Sequence, residues 1–561
     1  MLFSRIYSSL LIFLLFFSCN AGKRPNATEG SAVEAPRLVV FLVVDQMRYD
    51  YFERFQDQYR MGLKRLWEEG AVFANAHHPH VPTNTGPGHA TLSTGAYMRV
   101  HGILNNEFYD PALGRMGYCT EDRSARIVGL PDVSGLMGMS PRALQTSTLG
   151  DWLKVADRQS KVCAVAQKDR GSILMGGKKA DRAFWFDNPT TGFVSSDYYP
   201  GKYPDWAGKI VGREVLRDSI DKGWYKAFPE SYYSRSREDV NEFETGNFLP
   251  DFPHTLARTH PRLPEGSKEV VMIRVTPFGD ELTLDFAETM LEEEKLGQDE
   301  HPDLLTISLS SADAIGHHFG PYSQEVQDYY LRLDQFLGDF LEFLDRKLGR
   351  DQYWVALSAD HGVMPFPEEL VKRGHPEARR IFNQAHFAQM ERIDAELRTE
   401  LGLQDSLFVF SDHNGIFLNY AEAQEKGISP PDLRQGIADA VRELDYIADV
   451  FTSDELQMEG FSRPFMEAYR RSYVPGRSPD LLIVPGENVL IHTPTGTSHG
   501  TPYAYDTHVP VVFLGKPFAA AKYDRRVATV DMAPTLAFLL GIEPTDPVNG
   551  VVLEELRPKV Q

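Results

Sequence analysis

Three apolar stretches of the sequence each end in an aspartate, and two of these aspartates have histidine partners. Asp45 follows FLVV, Asp313 follows LSSA, and Asp360 follows ALSA. His317 lies one helical turn after Asp313, so both side chains can face one point, and His361 is adjacent to Asp360. A single aspartate at such a place is more often a helix cap or a turn residue. Three of them, two with imidazole partners, at the strand ends that line the crevice of an open parallel sheet, indicate a site that holds positive charge.

The types of donor in this group indicate which ion it would hold. Carboxylates and imidazoles without thiolates suit zinc in a catalytic site. A further histidine occurs in GTSHGTPYAYDTHVPVVF, where His499 and His508 are both candidates. The donors exceed one tetrahedral shell, so we expect two zinc ions, roughly 4 Å apart as in sites of phosphoryl transfer.

The loop HVPTNTGPGHATLSTG, residues 80–95, combines turn-forming residues with hydroxyl groups. Pro, Gly and Asn are typical of turns, and turn geometry alone would explain the composition. The alternative is a nucleophile held at the start of a helix, with Thr83 and Thr85 as candidates, and nothing inside the loop decides between them. Just before it, the three histidines of AHHPH, residues 76–80, are interpreted as incidental surface side chains.

The elements that must position these residues predict a doubly wound α/β fold, with a mostly parallel sheet flanked by helices. Continuous apolar runs suit strands buried on both faces, and helical patterns lie between them, most clearly at 323–349 and 526–542. Two stretches, about 183–265 and 365–475, are interpreted as insertions that cap the sheet within one domain spanning 36–556. The predicted core strands lie in PRLVVFLVVDQMR, PDLLTISLSSAD (302–313), DQYWVALSADHG (351–362), PDLLIVPG (479–486) and HVPVVFLG (508–515).

Composition and charge limit the classes of function. The chain has 561 residues, 42% hydrophobic and 24% charged, as in a globular protein. With 58 basic and 79 acidic residues the formal net charge is −21, which argues against nucleic acid as a partner because a phosphate backbone needs a basic face. A local anion site supplied by a few Lys and Arg side chains is still compatible with this charge.

The N-terminus predicts export. Residues 1–19 contain a short apolar run that ends at a cysteine preceded by a small residue. This pattern resembles a bacterial lipoprotein signal, in which Cys19 would become the lipidated first residue of the mature protein. The alternative is plain signal cleavage nearby. Residues 20–35 are interpreted as a flexible tether. We therefore expect a periplasmic or outer-membrane-associated lipoprotein that meets the membrane only through this anchor. Cys119 and Cys163 could form one disulfide in such a compartment.

Together, the motifs of this sequence resemble those of the alkaline phosphatase superfamily, and most closely the phosphate-irrepressible alkaline phosphatases of the PafA type. The resemblance covers nearly the whole chain from about Arg37 onward. No single motif would be specific, but their joint pattern is. The motifs are VVDQMR, TGPGH, HGILNNEFYD, KDRGSIL, SSADAIGHHFGPYS, SADHGV and THVPVVFLGK.

The resemblance implies a zinc-dependent phosphomonoesterase that acts on small phosphate esters through a phosphothreonine intermediate. Thr85 is the implied nucleophile, because it stands four residues before His89 as the nucleophile does in the family. His499 is the implied zinc ligand, and His508, beside the apolar strand VPVVF, is interpreted as structural. The implied ligands are Asp313, His317 and His499 for one zinc ion, and Asp45, Asp360, His361 and Thr85 for the other.

Positive side chains near the nucleophile would decide between monoester and diester substrates. KVCAVAQKDR is interpreted as a strand, which places Lys168 and Arg170 on one face. A monoester dianion needs more positive compensation than a diester, and Arg can bind two oxygens at once. In the family, the matching Lys and Arg and the residue matching Asn106 contact the phosphoryl group, so the resemblance implies these substrate-binding roles here.

Two other functions are weighed against this one. A nucleotide pyrophosphatase or phosphodiesterase of the same superfamily would share the zinc ligands and the threonine but would not need the Lys–Arg pair. A non-catalytic phosphate-binding lipoprotein is less favoured, because it would have no reason to keep a full set of metal ligands. A sulfatase is disfavoured, because Thr85-Gly-Pro-Gly-His lacks the modifiable Cys or Ser and the Arg that such enzymes require.

Overall fold

The structure of the chain is a computed structural model that describes residues 34–130, 133, 135–244 and 246–558. The predicted signal peptide with Cys19, and residues 20–33 of the predicted tether, lie outside the described residues. The strands are β1 (Leu38–Val44), β2 (Ala71–His77), β3 (Glu107–Asp110), β4 (Arg115–Tyr118), β5 (Ile127–Val128), β6 (Val162–Ala166), β7 (Arg182–Asp187), β8 (Gly192–Ser196), β9 (Asp303–Leu309), β10 (Tyr353–Ser358), β11 (Arg379–Phe382), β12 (Phe408–Ser411), β13 (Gly415–Leu418), β14 (Ile447–Thr452), β15 (Leu481–Pro485), β16 (Val489–His492), β17 (His508–Leu514), β18 (Ala521–Tyr523) and β19 (Val527–Ala528).

The α-helices lie between these strands and at the C-terminal side of the last one. They are α1 (Asp50–Phe55), α2 (Gly62–Glu69), α3 (Thr85–Thr94), α4 (Met98–His101), α5 (Leu149–Ala156), α6 (Asp169–Gly176), α7 (Gly212–Val215), α8 (Arg217–Lys222), α9 (Glu265–Arg274), α10 (Phe278–Glu293), α11 (Ser311–Phe319), α12 (Gln324–Lys347), α13 (Pro367–Lys372), α14 (Asn383–Leu401), α15 (Ala421–Glu425), α16 (Pro430–Arg442), α17 (Ser453–Gln457), α18 (Met466–Ser472), α19 (Ala504–Thr507) and α20 (Met532–Leu540). Among the described residues, no helix is both long enough and apolar enough to cross a bilayer.

Eleven strands form one central sheet. Its order is β18-β2-β17-β10-β1-β9-β6-β7-β8-β5, with β19 paired to β2. Strand β1 lies between β9 and β10 and is parallel to both, and β6 and β7 continue the parallel part. On the other side, β17 runs antiparallel between β10 and β2. The predicted α/β fold with a mostly parallel sheet is confirmed, and antiparallel strands extend it toward both edges.

The two faces of the sheet pack into separate hydrophobic cores, which explains why its strands are apolar throughout. Along β1, Val40 and Leu42 join a core that includes side chains of α10 and α12. Val39 and Phe41 point the other way and pack with side chains of α5 and α20. All four are at most 2% exposed. Burial on both faces, with helices on both sides, is the doubly wound arrangement that the sequence predicted.

One predicted core strand belongs elsewhere. The segment 479–486 forms β15 in a separate four-stranded sheet of order β12-β13-β15-β14. Leu481 and Ile483 pack against one hydrophobic cluster, and Leu482 and Val484 pack against another. Because both faces of this small sheet are covered, β15 has the continuous apolar pattern of a central strand, and the pattern alone could not distinguish the two.

The segments interpreted as insertions differ from the observed units at their boundaries. Hairpin β7–β8, at the start of the 183–265 segment, pairs with β6 and β5 and so extends the central sheet. The second segment forms a unit around the small sheet, here called the second cap. That unit continues past residue 475, because β15 and β16 pair with strands inside it.

The chain between β8 and α9, here called the first cap, is tied to the long helix α12 by one buried carboxylate. Asp328 is fully buried and accepts hydrogen bonds from the indole of Trp224 at 2.6 Å and from the backbone N–H of Ala227 at 2.6 Å. The phenol of Tyr233 also donates to it, and Arg332 contributes a charged contact at 2.7 Å. Since Trp224, Ala227 and Tyr233 all belong to the first cap, their hydrogen bonds to Asp328 fix this cap to the main domain.

The two cysteines within the described residues are free thiols. Cys119 and Cys163 are both buried, and no disulfide joins them. Burial raises the pKa of Cys119 above its ordinary value, and it raises that of Cys163 in the same way. The disulfide that the sequence allowed is therefore absent, and both side chains act as small core residues.

Candidate active site

The parallel strands bring the three predicted aspartates to one edge of the central sheet. Asp45 directly follows β1, Asp360 follows β10 after one intervening residue, and Asp313 lies in the first turn of α11, just after β9. Because β1 is flanked by β9 and β10, the three carboxyl ends are neighbours. Asp45 and Asp360 are fully buried, and Asp313 is 6% exposed.

The structure gathers six predicted side chains into two groups of three, here called donor set 1 and donor set 2. Within each group, one ligand atom from every residue lies within 4.8 Å of the others. Donor set 1 is Asp313, His317 and His499, and donor set 2 is Asp45, Asp360 and His361.

The two donor sets are in direct contact with each other. In donor set 1, Asp313 Oδ1 lies 3.1 Å from His317 Nε2 and 3.7 Å from His499 Nε2. In donor set 2, His361 Nε2 lies 3.5 Å from a carboxylate oxygen of each aspartate. The rings of His361 and His499 stack at a centroid separation of 3.5 Å. The grouping therefore forms one compact centre with two clusters of donors.

The hydrogen bonds of the three histidines assign their tautomers. In each ring Nδ1 lies within hydrogen-bond distance of a backbone carbonyl oxygen, which can only accept, so Nδ1 carries the proton. Each Nε2 then lies on the side of the carboxylates, where it could bind a metal ion. This is the arrangement of metal-ligating histidines, whose other nitrogen donates to an orienting group. The pairs are His317 with Thr497 O at 2.7 Å, His499 with Thr83 O at 2.7 Å, and His361 with Gly362 O at 2.9 Å.

The buried atoms of donor set 2 fit a bound cation. Asp45 Oδ1, Asp360 Oδ2 and His361 Nε2 are all buried acceptors without a hydrogen-bond partner among the described residues. Burial, and then the negative charge of Asp360, raise the pKa of Asp45 well above its ordinary value. Buried acceptors of this kind are costly unless a positive group satisfies them. The donor chemistry, all oxygen and imidazole nitrogen, fits zinc.

Thr85 opens helix α3 at the edge of this centre and is 1% exposed. Its Oγ1 lies 3.4 Å from Lys168 Nζ. The other candidate, Thr83, donates its hydroxyl to the carbonyl oxygen of Thr501 at 3.0 Å and is thereby engaged elsewhere. The geometry favours Thr85 over Thr83 as the hydroxyl that can react.

Gly88 and Asn106 fix the start of helix α3. A Cβ on Gly88 would stand 2.2 Å from the backbone oxygen of Asp360, so only glycine permits this approach of the helix to donor set 2. Asn106 Oδ1 accepts a hydrogen bond of 2.7 Å from the backbone N–H of Gly86. Since the carbonyl end of the Asn106 amide faces the protein, its NH₂ end is the part available to a ligand.

Lys168 sits between the two donor sets. Its Nζ donates to Asp45 Oδ2 at 2.5 Å and to Asp313 Oδ2 at 2.7 Å. Although burial alone would lower the pKa of Lys168, the charges of Asp313 and Asp45 raise it above its ordinary value. The ammonium group is therefore charged and bridges the two sets.

Arg170 is held by a polar chain behind it. Its Nη1 donates to the Tyr118 hydroxyl at 3.0 Å, and that hydroxyl donates to Asp169, which also accepts from Thr120. The predicted strand is confirmed only as far as Ala166, where β6 ends; its extension to Lys168 and Arg170 is wrong, because α6 begins at Asp169. The start of a helix, rather than one face of a strand, positions Lys168 and Arg170.

Two contacts of the centre were not predicted as functional. Gln46 donates to Asp313 Oδ1 at 2.6 Å through its side chain and to Asp360 Oδ1 at 3.1 Å through its backbone. His89 Nδ1 lies 2.8 Å from Thr85 O and 3.2 Å from Asp360 Oδ2. Two signals in the sequence could have identified these residues. Gln46 directly follows Asp45, and His89 is the last residue of TGPGH.

The remaining histidines lie outside both donor sets. His508 Nε2 lies 2.8 Å from the backbone oxygen of Ala74, and its ring stacks between those of Tyr49 and His77. The structural role expected for His508 agrees with these contacts. His318 Nδ1 lies 2.6 Å from Ala314 O, so this ring is engaged by its own helix.

The surface interpretation of AHHPH is wrong. His77, His78 and His80 are 9%, 4% and 0% exposed, respectively. His77 is the last residue of β2, and His78 contacts the backbone oxygen of Ala359, which directly follows β10. The segment therefore packs against the carboxyl end of β10. Burial lowers the pKa of His78 to about 4, so its ring is neutral at physiological pH. Polar residue types suggested a surface loop, whereas hydrogen bonds to buried backbone explain these histidines.

Comparisons with known proteins find relatives that match nearly the whole length of this chain. A family profile described as type I phosphodiesterase / nucleotide pyrophosphatase matches residues 39–508. The chain is 34% identical to alkaline phosphatase PafA of Elizabethkingia meningoseptica over 539 residues, covering 94% of this chain and 96% of that one. It is 32% identical to alkaline phosphatase PhoV of Synechococcus elongatus over 555 residues, covering 97% and 98%.

A solved structure gives the same result for the fold. The crystal structure of wild-type alkaline phosphatase PafA superimposes with a TM-score of 0.86 at 32% identity, covering 94% of this chain and all of that one. The resemblance found in the motifs is thus confirmed over nearly the full length. The chain belongs to the type I phosphodiesterase / nucleotide pyrophosphatase family, within the alkaline phosphatase superfamily.

Proposed function

We propose that this chain is a zinc-dependent phosphomonoesterase, an alkaline phosphatase that releases inorganic phosphate through a phosphothreonine intermediate at Thr85. The observation that carries the proposal is the position of Lys168, whose ammonium group touches both donor sets and lies 3.4 Å from the Thr85 hydroxyl. The names of relatives that match over almost their whole length, alkaline phosphatases PafA and PhoV, support the same reaction.

The proposed ligands are the six side chains of the two donor sets, together with the Thr85 hydroxyl on the side of donor set 2. Two bound zinc ions would supply positive charge for the phosphoryl oxygens and increase the acidity of the nucleophile. The protein's own part is to hold the imidazole lone pairs and carboxylates in place through the carbonyl contacts of each Nδ1.

The reaction proceeds by two displacements at phosphorus. Thr85 Oγ1 attacks in line, the bond from phosphorus to the ester oxygen breaks, and the alcohol leaves on the side of donor set 1. A water molecule then attacks the phosphothreonine from that side, which restores Thr85 and gives net retention at phosphorus. Because Thr85 is held at a helix start that only Gly88 allows to approach so closely, the nucleophile is positioned before substrate binds.

The substrate-binding residues would favour a monoester dianion. Lys168 and Arg170 provide two positive charges, and the NH₂ group of Asn106 adds a neutral donor. A diester has an alkyl group in place of one charged oxygen and gains less from them. Replacing Lys168 and Arg170 together by Ala should therefore reduce monoester hydrolysis far more than diester hydrolysis.

The experiment that tests the proposal compares p-nitrophenyl phosphate, bis(p-nitrophenyl) phosphate and p-nitrophenyl sulfate on zinc-loaded protein. We expect the monoester to have the highest kcat/KM. The family profile, which is described by phosphodiesterase and nucleotide pyrophosphatase activities, makes a diesterase the second candidate. Faster turnover of the diester would favour that candidate, and zinc-loaded protein that turns over none of the three would favour a phosphate-binding lipoprotein.

We also propose that the protein is exported to the periplasm or the outer membrane and anchored by a lipid on Cys19. The short apolar run that ends at Ser18-Cys19 supports this proposal. Mass spectrometry of the N-terminal peptide from the native host should show a diacylglyceryl group on Cys19. An unmodified Cys19, or cleavage at another residue, would contradict the anchor.

A further inference from the structure

A recess of about 360 Å³ opens beside donor set 1. His499, which belongs to that set, lines it together with Asn105. Strand β3 and strands β12 and β13 of the second cap form further parts of its wall. Cavities of this size hold small organic ligands. Since the alcohol of the ester is proposed to leave on the side of donor set 1, the recess lies where that alcohol would be.

Aromatic side chains form one wall of the recess. The ring of Tyr109 stacks on Phe410 at a centroid distance of 5.3 Å and an interplanar angle of 6°, and it meets Phe417 at 5.1 Å and 59°. Tyr109 comes from β3 of the main domain, whereas the two phenylalanines come from the second cap. All three line the recess. Ring faces and edges of this kind favour contact with another planar ring.

A guanidinium group adds a polar element to the same recess. Arg477 lines the recess, and its Cζ lies 5.9 Å from the centroid of the Phe108 ring. An acceptor on a bound ligand would pair with the N–H donors that this side chain offers to the recess. A carboxylate would do so best, because its bond to guanidinium is charge-assisted.

The chain connects this recess to the proposed phosphoryl contacts. Asn106 is followed directly by β3, so Phe108 and Tyr109 are two and three residues beyond the proposed phosphate-binding amide. The short connection couples the position of an ester's phosphoryl group to that of its alcohol. One substrate could therefore contact Asn106 and the aromatic wall together.

We propose that the recess binds the alcohol part of the substrate and selects phosphomonoesters of aromatic alcohols that carry a hydrogen-bond acceptor, a carboxylate above all. The inference rests on the proposed phosphomonoesterase function and specifies its substrate class. The aromatic wall recognises the ring, and Arg477 recognises the acceptor. After transfer of the phosphoryl group to Thr85, the alcohol departs from this recess with a proton taken from water.

The test compares methyl phosphate, benzyl phosphate and 4-carboxybenzyl phosphate. None of these three esters has an activated leaving group. We expect kcat/KM to be about tenfold higher for benzyl phosphate than for methyl phosphate, because the aromatic contacts stabilise the bound ring. It should be about tenfold higher again for 4-carboxybenzyl phosphate, because the carboxylate pairs with Arg477. Tyr109→Leu should remove most of the first increase, and Arg477→Gln most of the second. Phe387→Leu is the control, because Phe387 is an aromatic residue of α14, 42% exposed, that does not line the recess.

The outcomes separate this inference from the proposed function. Equal kcat/KM for the three esters in the wild type would overturn the inference and leave the phosphomonoesterase intact. Failure to hydrolyse any of them, with turnover of a diester, would overturn the proposed function instead. Phe410→Leu provides a second test of the aromatic wall in case Tyr109→Leu does not fold. An independent test uses 4-(hydroxymethyl)benzoate, which should inhibit methyl phosphate hydrolysis competitively. Arg477→Gln should weaken that inhibition about tenfold. Inhibition that the substitution leaves unchanged would also count against the inference.

Discussion

Replacing Lys168 with Met tests the electrostatic design of the centre, because the change removes one charge while keeping an apolar stem of similar length. In the proposed reaction Lys168 contacts a phosphoryl oxygen, and a hydrogen bond to a charged group contributes about 1.5–3 kcal/mol. We therefore expect kcat/KM for p-nitrophenyl phosphate to fall about 100-fold. The bis ester, with one charged oxygen fewer, should lose about tenfold or less.

The same substitution should affect stability in a way that depends on zinc. Without metal, Asp45 and Asp313 would lose the ammonium group that lies within 2.7 Å of both, and removing one partner of a buried ion pair costs about 3–5 kcal/mol. Bound zinc would compensate these carboxylates. Thermal unfolding of Lys168→Met should thus be shifted much further down in EDTA than in zinc.

The control is Lys154→Met, which removes an ion pair with Asp181, 3.0 Å apart and well away from the centre. Its effect on the unfolding temperature should be small and the same with and without zinc. Equal losses of monoester and diester turnover in Lys168→Met, or a shift in unfolding temperature that zinc does not reduce, would refute the role assigned to Lys168.

Three further predictions follow from single positions. Thr85→Ala should abolish phosphomonoester turnover and leave zinc bound, as judged by metal content after gel filtration; near-normal turnover would refute the nucleophile. Gly88→Ala should weaken zinc binding and turnover, because the added Cβ would stand 2.2 Å from the backbone oxygen of Asp360 in donor set 2. The control is Gly436→Ala in α16, where no atom lies within 4 Å of the added Cβ. This control should stabilise the protein by about 0.5–1 kcal/mol. Asp328→Asn should cost about 2 kcal/mol of stability, because it weakens the hydrogen bonds from the first cap. The first cap should then become sensitive to limited proteolysis. A cap as resistant as in the wild type would contradict the anchoring role.

The sequence predicted the central sheet and the clustering of donors because both depend on local patterns. An apolar run that ends in Asp45, with two similar runs elsewhere, is enough to place three carboxylates at one sheet edge once the strands are parallel. The spacing of four between Asp313 and His317 is equally local. These features required no knowledge of which distant segments meet.

Features that depend on contacts between distant segments could not be predicted in this way. The segment with β15 has the pattern of a central strand because a second small sheet is also covered on both faces. Lys168 was expected on a strand, since the apolar residues before it give no signal of where β6 ends. The stack of Tyr109 on Phe410 joins residues about 300 positions apart, and no periodicity in either segment indicates it.

The measurement that tests the central claim most directly is anomalous diffraction from crystals of the zinc-loaded protein, recorded on both sides of the zinc absorption edge. We expect two zinc peaks roughly 4 Å apart, with the Thr85 hydroxyl beside the peak in donor set 2. One peak should lie among Asp313, His317 and His499, and the other among Asp45, Asp360 and His361. A single peak, peaks at other residues, or Thr85 turned away from both would contradict the two-metal centre on which the proposed reaction depends.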